Sequence, residues 1–357
     1  MTKNSVKKLS IIVPMYKVGP YVEKCLRSLE DQDIPRNDYE IICINDGSPD
    51  NSHEVVVHLQ KEYENILLID QENQGVSRAR NNGMALATGE YLMMVDPDDF
   101  LKPNVLKDRL KVMDEFQLEV GLMGYTILNE NQVEEYHYDP IHDVSQVLAG
   151  VDLLNKFWEE ETGTEERDPH RSVSILFRSS LLKEYDLQYL VDVPYLEDGE
   201  LMTRIMCLAK RTTFINGQMY MRTTRPGSAT HSPLYHSERG RDGFLKAAYN
   251  LHHFKLEHCR NRNQIDFIND SIVHFTILSL TSLKIRHYLK NYSKLYERLK
   301  KGPLKKLELE GCSSFYKKMG SYYNCSIHCF YLYWTFYKSR ELINNTFSFL
   351  TRNKKQS

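Results

Sequence analysis

No apolar stretch in this chain reaches the roughly 20 residues needed to cross a bilayer, and its cysteines include no CxxC pair. The first absence argues against an integral membrane protein. The second, with seven scattered cysteines, argues against a disulfide framework and a zinc site, and so for a reduced, cytoplasmic protein. Lys3, Lys7 and Lys8 precede the apolar run Leu9–Val13, but Pro14 ends it too soon for a signal peptide. No nucleic-acid-binding motif is present, and nucleic acid is not expected as a partner.

What is there fits a globular chain: 357 residues, 41% hydrophobic and 26% charged, enough for one large core with an appendage or for two domains. The net charge of −2 conceals a split. From residue 245 onward there are 20 Lys and Arg against 7 Asp and Glu, and before it 26 against 41. Opposite balances predict that the two ends meet different partners.

The acidic run Asp96-Pro97-Asp98-Asp99 stands directly behind Gly89-Glu90 and the apolar Tyr91–Val95, which reads as a buried strand of a parallel sheet. Pro97 removes a backbone donor and favours a turn. Carboxylates this close raise one another's pKa unless a cation sits between them, and a hard divalent ion held by one or two carboxylates is one explanation. An ordinary solvated turn is the other.

Apolar runs at 9–15, 40–44 and 66–69 predict three earlier strands. They are separated by helices carrying Val22, Cys25, Leu26 and Leu29, by one beginning near Ser52, and by one after Asn73-Gln74-Gly75. This alternation predicts a parallel sheet covered on both faces, with ligands beyond the carboxyl ends of the strands. Asp46, Asp96 and Asp98 all fall at such ends. Further on, 103–116 reads as a helix, 119–128 as a strand, 129–170 as a polar excursion, 172–177 as a strand and 213–221 as another. Leu196-Glu197-Asp198-Gly199-Glu200 opens a helix, where acidic residues are also favoured simply by the helix dipole. Residues 222–231 form a candidate lid. From about 238 the pattern is helical. Cys325–Tyr337 is aromatic and apolar with basic residues behind it, which suits an interfacial helix or a helical pair with solvated lysines.

Taken together, Ser10–Tyr16, Asn45-Asp46-Gly47-Ser48, Asn73-Gln74-Gly75 with Ala79-Arg80-Asn81, Gly89-Glu90-Tyr91 and Asp96–Asp99 resemble the successive motifs of the family 2 glycosyltransferases, in order and spacing. Glu197-Asp198 and Arg225–Ser228 are similar to later family features, and the likeness covers roughly the first 235 residues. It implies a GT-A fold (Rossmann-like α/β, a mostly parallel sheet with helices on both faces) over 1–237, followed by a basic, mostly helical region at 238–357. It also implies a nucleotide-sugar donor, most often a UDP-sugar, a divalent Mn²⁺ or Mg²⁺, and inversion at the anomeric carbon.

Carried over by position, Pro14 and Tyr16 border the nucleotide, Asp46 accepts from the uracil N–H, Asp96 lies by the ribose, and Asp98 ligates the metal. Asp198 is the general base, with Glu197 beside it. Tyr16 would contact the base or simply pack. Arg80 would add to the field around the diphosphate or form a structural ion pair with a strand-end carboxylate. Arg225 and Ser228 would close over the diphosphate. His231 is a further metal ligand on this reading, against the plainer one of a loop histidine that binds nothing.

The expected acceptor is a saccharide or lipid-linked saccharide, for a bacterial surface polysaccharide or glycolipid. The basic C-terminal region would meet an anionic membrane surface, making the protein cytoplasmic and peripheral at the inner face, or would serve a homo-oligomer. Two alternatives are an inactive sugar- or nucleotide-binding scaffold of the same fold and a sugar nucleotidyltransferase. The second would want a Gly-rich phosphate loop after the first strand, and Val13–Gly19 is not one.

Overall fold

The computed structural model describes residues 7–139, 146–157, 173–224, 233–282, 295 and 298–339. The chain divides into two compact units, residues 1–235 and 236–357.

The first unit opens with strand β1 (Leu9–Met15), helix α1 (Gly19–Glu30), β2 (Tyr39–Asp46), α2 (Ser52–Leu59), β3 (Ile66–Gln71), α3 (Val76–Leu86) and β4 (Tyr91–Met94). It continues through β5 (Phe100–Leu101), α4 (Leu106–Glu115), β6 (Val120–Leu128), β7 (Glu134–Tyr138), α5 (Gly150–Phe157) and β8 (Ile175–Arg178), then α6 (Ser179–Glu184), α7 (Glu197–Leu208) and β9 (Thr212–Thr223). The strands form one sheet in the order β3-β2-β1-β4-β8-β6-β9-β5, with β7 paired to β6. β1 to β4 are mutually parallel. β8 runs antiparallel to β4 and to β6, and β6 and β9 are parallel. The sheet is therefore mixed, with six strands in one sense.

Every residue of β1 is buried, as expected for a central strand covered on both faces. Side chains alternate across a strand, and the packing follows that period. Leu9, Ile11, Val13 and Met15 share a cluster with Val22, Cys25, Leu26 and Leu29 of α1 and with Val56 and Leu59 of α2. Ile12 points the other way, against α3, so closely that a Cβ at Gly83 would lie 2.5 Å from its Cγ2. Each such fully buried aliphatic side chain contributes about 1.5–3 kcal/mol.

Two boundaries differ from the expectations. The Gly19-Pro20 pair, read as a turn, already begins α1, with Pro20 in the first turn, where a missing N–H costs nothing. The strand expected at 172–177 is β8 at Ile175–Arg178. Ser174 has φ +61°, and its hydroxyl donates to the carbonyl of Gly124 at 2.8 Å, so regular pairing starts one residue later. The polar excursion holds β7 and α5; its residues 140–145 and 158–172 lie outside the described set.

In the second unit, α8 (Glu238–His258) and α9 (Arg262–Thr281) are both capped by side chains: the Ser237 hydroxyl accepts from Gly240 N, and the Asn261 side chain accepts from Gln264 N. α10 (Ser314–Cys325) follows, and residues 327–339 are helical. The run Cys325–Tyr337 is thus not one helix, because Ser326 is extended at φ −168° and ψ 157°. No helix among the described residues is long and apolar enough to cross a membrane.

Candidate active site

β2 and β4 flank β1, and their registers set which residues meet at the carboxyl edge of the sheet. Met15 pairs with Asn45 and Ile12 with Met94. Continued by one or two residues, these registers put Tyr16 level with Asp46 and Pro14 level with Asp96. The two aspartates therefore end the strands on either side of the one that carries Pro14 and leads to Tyr16. Pro14 is buried. Tyr16 is 44% exposed, with the Lys17 ammonium 5.1 Å from its ring centre, so core packing is not its role.

Asp46 is buried and held entirely by neutral donors among its hydrogen-bond contacts. Its Oδ1 accepts from Gln71 Nε2 at 2.7 Å and from Gln74 N at 2.8 Å, and Oδ2 accepts from Gly75 N at 2.8 Å. Its carbonyl accepts from Asn73 Nδ2 at 2.9 Å. Gly75 has φ +87°, a left-handed conformation open to glycine at little cost. That conformation turns consecutive N–H groups onto the carboxylate just before α3 begins. Parallel pairing places Gln71 directly beside Asp46.

On the other side of β1 the carboxylates gather round a cation. The Arg80 guanidinium, carried by α3 and buried, donates from Nη2 to Asp96 Oδ1 at 2.9 Å. From Nη1 it donates to Glu197 Oε1 at 3.0 Å and Asp198 Oδ1 at 2.9 Å. Its Nε is buried without a partner among the described residues. Burial opposes the charge on Arg80, but Asp198 above all, with Tyr189, Asp96 and Glu197, outweighs it and holds the pKa well above the usual arginine value. Arg80 therefore stays charged and joins the end of β4 to the start of α7. Leu196, just before α7, has φ +56°, an uncommon conformation for leucine. Burial first, and then the Asp198 charge, push the Glu197 carboxyl up to about 7, against the pull of Arg80.

The β4–β5 turn carries the remaining acids. Asp99 is buried. Its Oδ2 accepts from the Tyr220 hydroxyl at 2.7 Å and its Oδ1 from Thr223 N at 2.7 Å, and the Tyr220 oxygen accepts from Asp96 N at 3.0 Å. Burial, reinforced by the Asp96 and Asp98 charges, pushes the Asp99 carboxyl well above the usual range. Asp99 thus fastens the turn to β9. Asp98 is half-buried and borders a cavity of about 280 Å³ lined also by Tyr21, Lys24, Thr223 and Thr224. The Lys24 ammonium donates to Gln132 Oε1 at 2.6 Å and lies 3.6 Å from the centre of the Phe100 ring.

Among the described residues, no three His, Cys, Asp or Glu side chains form a metal cage. What the turn offers is two strand-end carboxylates, Asp96 and Asp98, which suits a hard divalent ion that takes its other ligands from phosphate and water.

Asp46, Arg80, Asp96, Asp98, Glu197 and Asp198 thus stand with Pro14 and Tyr16 around the carboxyl ends of β1, β2 and β4. Arg225, Ser228 and His231 lie outside the described residues. Motif reading missed Gln71, Lys24 and Tyr220; of these, only Gln71 had a signal, its place opposite Asp46 once β2 and β3 are paired. Asp99 stood in the acidic run but was given no role of its own.

Residues 10–179 match the family model described as glycosyl transferase family 2. The glycosyltransferase GlyA of Streptococcus pneumoniae is 29% identical over 232 residues, covering 62% of this chain and 31% of its own. The chain therefore spans under a third of that relative. Residues 1–349 of Staphylococcus aureus TarS, solved in complex with UDP-GlcNAc, superpose with a TM-score of 0.61 at 21% identity, covering 82% of this chain and 80% of that one. The mannosyltransferase PcManGT of Pyrobaculum calidifontis, solved with GDP-Man and Mn²⁺, gives 0.50 at 12% identity over 90% and 88%. These two share the fold.

Proposed function

Because residues 10–179 match the glycosyl transferase family 2 model, we propose that the chain is an inverting glycosyltransferase of that family. It moves a hexosyl or N-acetylhexosaminyl group from a UDP-sugar to a hydroxyl of a saccharide or lipid-linked saccharide. The observation that carries this reading is Arg80, which gathers Asp96, Glu197 and Asp198 at the same sheet edge as Asp46. The UDP-GlcNAc bound to TarS supports the choice of donor, and the Mn²⁺ of PcManGT supports a metal.

In this reading Pro14, Tyr16 and Asp46 border the uracil. Asp46 Oδ2 takes one hydrogen bond from Gly75, and a carboxylate oxygen accepts two, so it can receive the uracil N–H and keep its loop. Asp96 lies by the ribose. Asp98, with His231, would hold Mn²⁺ or Mg²⁺, and Arg225 and Ser228 would close over the diphosphate. A bound divalent ion would supply Lewis-acid neutralisation of the charge left on the departing diphosphate. Asp198, oriented by Arg80, takes the proton of the acceptor hydroxyl as that oxygen bonds to the anomeric carbon. The bond to the diphosphate breaks on the opposite face, so configuration inverts. Burial and the Asp198 charge hold the Glu197 carboxyl at about 7, so its proton leaves near neutral pH.

The test is UDP release from a panel of nucleotide sugars with Mn²⁺ present. Asp98→Ala abolishes it while circular dichroism stays unchanged; release that survives the substitution removes the metal role.

For the acceptor side we place an anionic membrane surface against helix 327–339. Leu332 and Phe336, one turn apart, are 74% and 65% exposed, and the Lys338 ammonium sits 5.0 Å from the Trp334 ring, a combination suited to a bilayer interface. The chain floats with anionic vesicles at low salt and is released at high salt, and Leu332→Ser with Phe336→Ser weakens flotation. Absence of flotation even at low salt refutes the placement.

A further inference from the structure

The C-terminal unit holds a pair of sulfurs that the proposed transferase chemistry does not use. Cys325 ends α10, and Cys329 lies in the first turn of helix 327–339. Extended Ser326 forms the corner between them, and its hydroxyl oxygen accepts from Cys329 N at 3.0 Å. The Cys325 thiol donates to Cys329 Sγ at 3.4 Å. The other cysteines differ in setting: Cys25, Cys43, Cys207 and Cys259 are buried, and the half-buried Cys312 donates to the Glu308 carbonyl. Cys325 is exposed and Cys329 partly so.

Three features favour chemistry at this corner. The free N–H groups of a helix N-terminus stabilise a thiolate in its first turn. Hydrogen bonds from Ser326 and Cys325 lower the pKa of the Cys329 thiol, and the bond to Cys329 raises that of Cys325. One sulfur is thus prepared to attack and the other to resolve. Closing them to a disulfide of about 2.05 Å requires side-chain rotation at a corner that is not itself helical.

We propose that Cys325 and Cys329 form a dithiol site that exchanges with low-molecular-weight disulfides. The Cys329 thiolate attacks one sulfur of R–S–S–R, whose S–S bond breaks, and RS⁻ leaves and takes up a proton. Cys325, giving up its own proton, then attacks the Cys329 sulfur of the mixed disulfide and expels the second RSH. Two protein thiols are oxidised to one disulfide and one small disulfide is reduced to two thiols. The bridge ties the last residue of α10 to the first turn of the helix that exposes Leu332 and Phe336.

Trypsin isolates the site, because Met319–Lys338 contains these two cysteines and no other. The native full chain is treated with oxidised glutathione, quenched with N-ethylmaleimide and digested. The peptide should appear two hydrogens lighter and unalkylated, reverting with dithiothreitol. It should close several-fold faster in the folded chain than in urea. Cys325→Ser should stop at one glutathione on Cys329, and Cys329→Ser should react several-fold more slowly at Cys325. A peptide alkylated at both positions, one carrying two glutathiones, or closure equally fast in urea overturns the proposal.

Discussion

The two sides of β1 solve the same problem in opposite ways. On the β2 side a single carboxylate, Asp46, is surrounded by backbone and amide N–H groups. On the β4 side three carboxylates converge on one guanidinium. Neutral donors fix a position without adding charge, so Asp46 holds a loop. A charge cluster is held together by the Arg80 guanidinium, and burial with neighbouring carboxylates raises the Glu197 and Asp99 carboxyls. On the proposed reading the first side recognises the donor, and the second holds a cation and moves a proton.

The largest break in this comparison is Arg80→Met. It leaves Asp96, Glu197 and Asp198 facing one another without their cation, and breaking a buried pair from one side costs about 3–5 kcal/mol. Urea denaturation should show a loss of that size, and an unchanged midpoint would mean that Arg80 is not the link. Asp46→Asn should cost less, about 1–3 kcal/mol. Its amide NH₂ must face one of the N–H donors now held by the carboxylate, leaving that donor unpaired. The damage should stay local to Asn73–Gly75, read as faster hydrogen exchange at Gln74 and Gly75; exchange equal to wild type would refute the loop-holding role.

Glu197→Gln gives the smallest effect and the sharpest one. The folded carboxyl titrates at about 7, above its ordinary 4.5, so the folded state binds the proton more tightly than the unfolded chain. That contribution to stability is fully present below about 4.5 and is lost as pH rises to about 7. Glutamine removes this slope while its Oε1 can still accept from Arg80. Relative to the variant, wild type should lose stability between those pH values. Parallel stability curves would detach Glu197 from the titration.

Much of this was legible before any coordinates. β2 and β4 are apolar runs that stop at acids, and a parallel sheet sends such stops to one edge, so Asp46 and Asp96 could be paired in advance. Arg80 could be read as an ion-pair former to a strand-end acid, and Asp96 is one of its three partners. Its reach to α7 was not readable, because it joins residues 117 and 118 positions apart. Tyr220 and Asp99 are linked across 121 positions with no local pattern to announce it. Nor could periodicity show that β8 slots antiparallel between β4 and β6, since strand order depends on non-local pairing. Within Cys325–Tyr337, the bend at Ser326 was hidden in a mostly aromatic and apolar run.

The close approach of Ile12 to Gly83, where a Cβ would lie 2.5 Å from Cγ2, makes an absent atom part of the geometry of the candidate site. Arg80 rides on the same helix one turn earlier, so the depth at which α3 seats on the sheet decides how far the guanidinium extends towards its three acids. A methyl at position 83 would wedge the helix outward and drag the charged hub with it, though no polar group had been changed. The candidate site is thus adjusted from behind, by an aliphatic shim thickness that evolution can tune without touching Arg80 or any of its three acids.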